Sequence, residues 1–366
     1  MRIVPFSEVS PSDWNIACET SSDAWLFHRH EWISLEAARL GASNVSFAIE
    51  RSGRLVGVVP FYNSKLPLGP FVEDLHHTGI HRHSGIAVVD SLSRLDRSEA
   101  EKLALATIIS LATDAGSDRV QLCVQNASPR WRPGQSELIP FWASSGVVHF
   151  GLYSGPNGVI PVPQLSTLAL DQFYDLSVDP ATPVDGISSS ARTAARKAVN
   201  HGVHVRMETT HGHLDTVLEI AERSSRRTGE AAPDVAYFNE LLAGESSRHV
   251  TTLLALDSSS NPIGALVLAV YKDVAHFLHG YSDPESLDLR VNDFLHLSAI
   301  EWARGEGLDF YRLGPFFPEV PPDWPISKVS RFKTKFANTS VPIRQGSIFV
   351  EREKYVDLGR GIFEAN

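Results

Sequence analysis

Residues Ala275–Phe336 read AHFLHGYSDPESLDLRVNDFLHLSAIEWARGEGLDFYRLGPFFPEVPPDWPISKVSRFKTKF. The first seven alternate between the two faces of an extended chain, which predicts a strand over Ala275–Tyr281. From Arg290 to Glu306 the residues Val291, Phe294, Leu295, Ser298, Ala299 and Trp302 recur at helical spacing. Phe310–Leu313 is a second short apolar run, closed by Gly314 and Pro315. Strand, helix and strand within this length predict a βαβ unit and therefore an α/β fold. A loop with Pro318, Pro321, Pro322 and Pro325 follows, then a basic segment, Lys328–Lys335, read as extended chain. Cations delivered to one end of a sheet predict a site for an anionic group.

Composition narrows the class. At 366 residues the chain has room for one large domain or two ordinary ones. With 43% hydrophobic and 21% charged residues it is of the soluble globular kind. A net charge of −10 gives no general basic field, so an anionic partner must be held by a local patch. The two cysteines, Cys18 and Cys123, lack CxxC or zinc spacing, which excludes a disulfide framework and a structural zinc site. The N-terminal stretch MRIVPFSEVSPSDW has no apolar core, and no apolar run reaches the roughly 18 residues of a membrane span. These features predict a cytoplasmic monomer.

Working outward, Phe27–Arg39 and Glu99–Ala112 read as helices, and Val120–Val124 as a buried strand. Leu66–Gly85 reads as a loop, Ser136–Ser144 as a helix, Val147–Tyr153 as a strand, and Gly155–Pro163 as a Pro/Gly connection. In the second half, Ile187–Asn200, Leu214–Arg223 and Tyr237–Leu242 read as helices, and Val203–Met207 as a strand, with Ile343–Val350 closing the sheet. Two hairpins share one layout: VSFAIERSGRLVGVVPFY (45–62) and VTTLLALDSSSNPIGALVLAVY (250–271). Each is strand, polar turn, then a strand with Gly57 or Gly264 near its start. Pro60 places the end of the first hairpin at an edge or bulge. The repeat predicts two copies of one α/β domain, over 1–163 and 164–366.

Four motifs in order carry a family resemblance. They are a helix R…RKA…G-V-x-V (Arg192, Arg196, Lys197, Ala198, Gly202, Val203, Val205) and N-D-x-L-x-x-x-A-I-x-W-A (Asn292–Ala303), then Y-x-L-G (Tyr311–Gly314) and F-K-x-x-F (Phe332, Lys333, Phe336). In the first half Trp32, Gly57 and Pro60 fit the same pattern. The sequence resembles the Fem aminoacyltransferases and the wider set of double-GNAT acyltransferases, most firmly from Ile187 onward. The resemblance implies two tandem GNAT-like domains with the acyl acceptor held in a cleft. It also implies an aminoacyl-tRNA donor and an amine acceptor on a small molecule, a peptide or a cell-wall precursor. No charged heptad insertion occurs, so the coiled-coil arm of some members is absent.

Ordinary GNAT domains hold coenzyme A on a Gly-rich loop whose N–H groups face the pyrophosphate. The equivalent stretch here, SDPESLDLRV (282–291), has no glycine and three acids, which disfavours coenzyme A in the second domain. The first-domain stretch HHTGIHRHSGIAV (76–88) has two glycines and leaves an acyl-CoA-dependent enzyme as the alternative. A non-catalytic binding protein on the same fold is a third reading. No cofactor beyond the donor co-substrate is expected.

Two windows are free of acids: Gly186–Met207, with Arg192, Arg196, Lys197 and Arg206, and Trp324–Val350, with Lys328, Arg331, Lys333, Lys335 and Arg344. Such clusters hold phosphates, here those of the tRNA acceptor end, or form solvated faces. By resemblance Lys333 is the active-site lysine, stabilising the oxyanion that forms when an amine attacks an ester. Holding a donor phosphate and simple surface exposure are its other readings, and Lys335, of the same strand parity, is its nearest substitute. Asn292 reads as a helix cap or a substrate contact, with His296 one turn on. His279 and Tyr281 end a strand on one side, placed to bond substrate or to take a proton from the acceptor, or, for His279, to serve structure alone. The cluster His76, His77, His81 and His83 lacks the usual zinc company, so no metal site is assigned, and by resemblance Asp74 lines the acceptor cleft.

Overall fold

The computed structural model describes residues 1–65, 76–79, 85–117, 119–124, 152–155, 158–161, 169–177, 186–208, 213–228, 232–316, 318 and 325–349. The chain divides into two compact units, Met1–Ala169 with Pro342–Asn366, and Leu170–Val341. The expected boundary at 163/164 falls outside the described residues, as do the helix expected at Ser136–Ser144 and most of the strand expected at Val147–Tyr153.

The first unit contains the strands β1 (Arg2–Pro5), β2 (Ser43–Asn44), β3 (Phe47–Arg51), β4 (Arg54–Val59) and β5 (Tyr62–Lys65). They are followed by β6 (His76–Gly79), β7 (Ala87–Val88), β8 (Arg119–Val124), β9 (Leu152–Gly155) and β10 (Gly158–Pro161). One sheet runs β1-β3-β4-β7, antiparallel throughout. Pro60 ends β4, and the chain resumes as β5 in other company, paired with β2 and β6 rather than continuing as one strand to Tyr62. The presumed loop 66–85 therefore contains β6, and the presumed connection 155–163 contains β10, paired with β9. Pro11 opens a helix, Pro11–Glu19. As the first helical residue it needs no N–H partner, and the Ser10 hydroxyl accepts from Asp13 N–H at 3.0 Å. Trp14 and Trp32, both fully buried, anchor this helix and the helix His30–Leu40 in the core.

The second unit has β11 (Ala169–Asp175), β12 (His204–Glu208), β13 (Val250–Leu256), β14 (Pro262–Tyr271), β15 (Val274–Ser282) and β16 (Phe310–Phe316). β12 to β15 are antiparallel neighbours, β15 pairs β16 in parallel, and β16 pairs β11 antiparallel. The helix Val291–Gly305 joins the two parallel strands, which completes the βαβ unit read from the sequence. With the helix Ser189–Asn200 it covers one face of the sheet through Ala191, Ala198, Leu295, Ala299 and Ala303, all buried. The helix Leu214–Thr228 packs on β14 and β15. Covered in this way, β13 is buried at every position, Thr251 and Thr252 included. β17 (Thr339–Phe349) leads the chain back to the first unit, where Arg344–Phe349 pair with β8.

The repeat extends beyond the hairpins. β1, two helices and β3-β4-β7 in one unit correspond to β12, two helices and β13-β14-β15 in the other. Even the irregularities match. A bulge separates Ile49 from Glu50 and another separates Ala255 from Leu256, with Gly57 opposite Ile49 and Gly264 opposite Ala255. A side chain at Gly264 would collide with Val291 Cγ1, so glycine here lets the Val291–Gly305 helix lie close on β14.

One expectation is corrected. Pro325–Thr334, read as loop and extended chain, is a helix. Pro325 occupies its first position, where proline is tolerated, and the other three prolines precede it.

Candidate active site

β15 and β16 are paired only over Val274–His276 and Phe310–Arg312. Past that point no pair joins them among the described residues; β15 stays on β14 and β16 on β11, with bulges at Val267/Leu268 and Gln172/Phe173. The ladder thus ends toward the carboxyl ends of two parallel strands, the place where α/β sheets take ligands.

Lys333, in the last turn of the Pro325–Thr334 helix, reaches this opening. Its Nζ lies 5.3 Å from the centre of the Phe277 ring on β15, and a Cβ built on Gly314 of β16 would stand 3.3 Å from it. Gly314 has φ +94°, a backbone state that favours glycine, and its missing side chain leaves space for the ammonium. A half-buried cation is therefore held between two strands, on a helix and not on a strand. Strand parity therefore does not relate Lys333 to Lys335, since Lys333 is in the last helical turn and Lys335 lies beyond the helix end. Lys335 instead follows the helix, donates to Asp293 Oδ1 at 3.3 Å and stacks over Phe332 at 5.0 Å.

His296 lies beneath. It is buried, its Nδ1 is 2.7 Å from Tyr311 Oη, and its ring packs with those of Phe277, Phe332 and Phe336. Burial, and then the Lys333 ammonium, lower its pKa to about 3, while burial pushes the Tyr311 phenol well above its ordinary value. His296 is thus a neutral member of the core. Since the unfolded chain protonates it near the ordinary 6.5, the folded state loses stability as pH falls from there to about 3. In that window wild type should lose about 1.4 kcal/mol per pH unit more than His296→Gln. Denaturant unfolding at stepped pH measures the difference, and parallel profiles would refute it.

His279 and Tyr281 project from β15, with parallel rings 6.1 Å apart. Tyr237, from the helix Val235–Ala243, places its Oη 3.0 Å from His279 Nε2, and Tyr281 Oη lies 3.5 Å from Nδ1. Asn292 does not cap its helix. Arg290, in the left-handed region at φ 60°, occupies the cap without a side-chain bond, and Asn292 Nδ2 donates to Ser282 Oγ at 3.2 Å. Arg192 turns back to its own helix start, Nη1 donating to Ile187 O at 3.0 Å. The neighbouring Ser188 N–H donates to Lys335 O at 2.8 Å, which brings Arg192 and the end of the Pro325–Thr334 helix together. Arg196, Lys197 and Arg331 are exposed. Asp74, His81 and His83 lie outside the described residues, and among those described no three potential metal ligands gather.

The first turn of the Val291–Gly305 helix carries an acid of the protein's own. Asp293, buried there, holds Lys335, while Asp283 caps the preceding short helix Pro284–Leu289, accepting from Glu285 N–H, and pairs with Arg223 at 2.7 Å. Sequence reasoning missed two further groupings. Tyr237 carries no motif, and only the fold brings it to His279, 42 residues away. Asp171 and Arg312, 141 residues apart, form a buried ion pair at 2.7 Å on β11 and β16.

Residues 188–323 match the family model described as Acetyltransferase (GNAT) domain, and the second unit accordingly carries an acyltransferase domain of the GNAT type. The chain as a whole has the Fem-like double-GNAT fold. It is similar to the crystal structure of FemX with a TM-score of 0.70 at 12% identity, covering 97% of this chain and 99% of that one. A lysylphosphatidylglycerol synthetase C-terminal domain from Agrobacterium fabrum, described there as putative, gives 0.58 at 12% identity, with 97% and 96% covered. A tandem GNAT protein of the clavulanic acid biosynthesis pathway gives 0.52 at 13%, with 96% and 98% covered. No curated protein matches the chain in sequence. No helix among the described residues is long and apolar enough to cross a membrane.

Proposed function

We propose that this chain is an N-acyltransferase that takes an aminoacyl group from a charged tRNA and passes it to the amine of a small molecule, peptide or cell-wall precursor. The observation that carries the choice of donor is the start of the Val291–Gly305 helix. In a GNAT domain that binds coenzyme A, such a helix start faces the pyrophosphate with free N–H groups. Here the first turn carries Asp293, buried and paired with Lys335, so the protein's own ion pair takes the place of an open anion site. Lys333 at the end of the β15–β16 ladder provides a cation for the oxyanion of the attacked ester. The acceptor amine attacks directly, and Arg192 and Arg331 supply positive charge for the phosphates of the tRNA end.

Binding of the purified chain to charged tRNA and to acetyl-CoA, at low and moderate salt, tests the donor. The expected result is tRNA binding that weakens with salt, each phosphate contact adding about 0.7–0.9 to the slope of log K against log salt, and weakens further in Arg331→Ala. Acetyl-CoA binding without tRNA binding would replace this donor with acyl-CoA. Binding of tRNA with no transfer to any amine would favour a binding protein on the same fold.

A further inference from the structure

We propose that Tyr237, His279 and Tyr281 form a proton relay that accepts the proton of the acceptor ammonium, with Tyr237 as the positioning residue that sets its direction. The inference rests on the acyl-transfer reading above. An acceptor amine with the basicity of a lysine is an ammonium at neutral pH and has no lone pair for attack until a base removes a proton. His279 sits where β15 has left β16, half-buried, with both ring nitrogens bonded to phenols, at 3.0 Å to Tyr237 and 3.5 Å to Tyr281. Phe238 holds the group in place, its ring 5.0 Å from that of His279 and 6.1 Å from that of Tyr281.

A neutral imidazole has one N–H and one lone pair, so the two phenols cannot play the same part. Tyr237 is buried, whereas Tyr281 is half-buried. We assign Nε2–H as donor to Tyr237 Oη, which leaves the Nδ1 lone pair to accept from the Tyr281 O–H. The ammonium gives a proton to Tyr281 Oη while the phenolic proton passes to Nδ1, and His279 becomes an imidazolium. The freed nitrogen lone pair then forms the C–N bond at the ester carbonyl, and the C–O bond pair leaves with the alkoxide oxygen. Of the two protons the nitrogen sheds, one protonates that oxygen through the relay and the other goes to solvent.

Transfer assays of the full chain, with charged tRNA or acetyl-CoA as donor and a panel of primary amines as acceptors, test the relay. His279→Gln should lower kcat on the order of 10²-fold, with acceptor KM little changed. Tyr237→Phe and Tyr281→Phe, which keep the rings, should lower it less. In all three the deficit should shrink as pH approaches the pKa of the acceptor, because free amine then needs no base. Wild-type rates, or a deficit that does not vary with pH, would overturn the relay and leave acyl transfer standing. A wild-type chain that turns over neither donor would overturn acyl transfer, and the relay with it.

Discussion

Replacing Lys333 by alanine is expected to lower kcat for transfer by about 10²–10³-fold, the cost of removing one preorganised group from a developing oxyanion. The expectation rests on where the ammonium is held. Phe277 and the bare backbone of Gly314 confine it, so it need not reorganise when charge appears on the carbonyl oxygen. Half-burial weakens solvent screening, which raises its value to the transition state above that of a surface lysine. Fold stability should change less than for the Asp171–Arg312 pair, since the attraction of Lys333 to buried Asp171 is smaller than that of Arg312. Steady-state kinetics decide the role. A fall in kcat at unchanged KM assigns Lys333 to the oxyanion, whereas a rise in donor KM at unchanged kcat would assign it to a donor phosphate.

Asp171→Ala is expected to destabilise the second unit by about 3–5 kcal/mol, the usual cost of leaving one member of a buried ion pair alone. Arg312 is 4% exposed and would keep its charge in the core. His276 cannot supply the missing negative charge, since an imidazole is neutral or positive; burial, and then Arg312, hold its pKa well below the ordinary value. Burial pushes the Asp171 carboxyl up more than Arg312 and Lys333 pull it down. Desolvation therefore outweighs attraction, and the intact pair contributes little net stability even though breaking it is costly. The combined change Asp171→Leu with Arg312→Met should then recover most of the loss. Denaturant unfolding that follows the second unit tests both variants; equal midpoints for Asp171→Ala and wild type would refute the argument.

The same two residues mark a limit of the sequence. Asp171 and Gln172 interrupt ALDQFYD with polar groups and hide β11 from a hydrophobic pattern, and the partner of Asp171, Arg312, lies far along the chain. The helix Pro325–Thr334 was hidden behind four prolines, and reading it as extended chain paired Lys333 with the wrong alternative. Asn292 is a cap residue by type, but Arg290 takes the cap through a left-handed backbone.

What the sequence by itself determined was the β15–helix–β16 unit, the two matched hairpins with Gly57 and Gly264, and the absence of glycine from residues 282–291. Each is written in neighbouring residues, because alternation and helical spacing record which face of an element is buried. The tertiary structure alone decided which candidates meet. It brought Lys333 to Gly314, Lys335 to Asp293, and Tyr237 to His279, and it left Arg196, Lys197 and Arg331 exposed. Those meetings depend on strand order, on register and on the point at which one ladder ends, and no local pattern carries these, because each is set by residues tens to hundreds of positions apart.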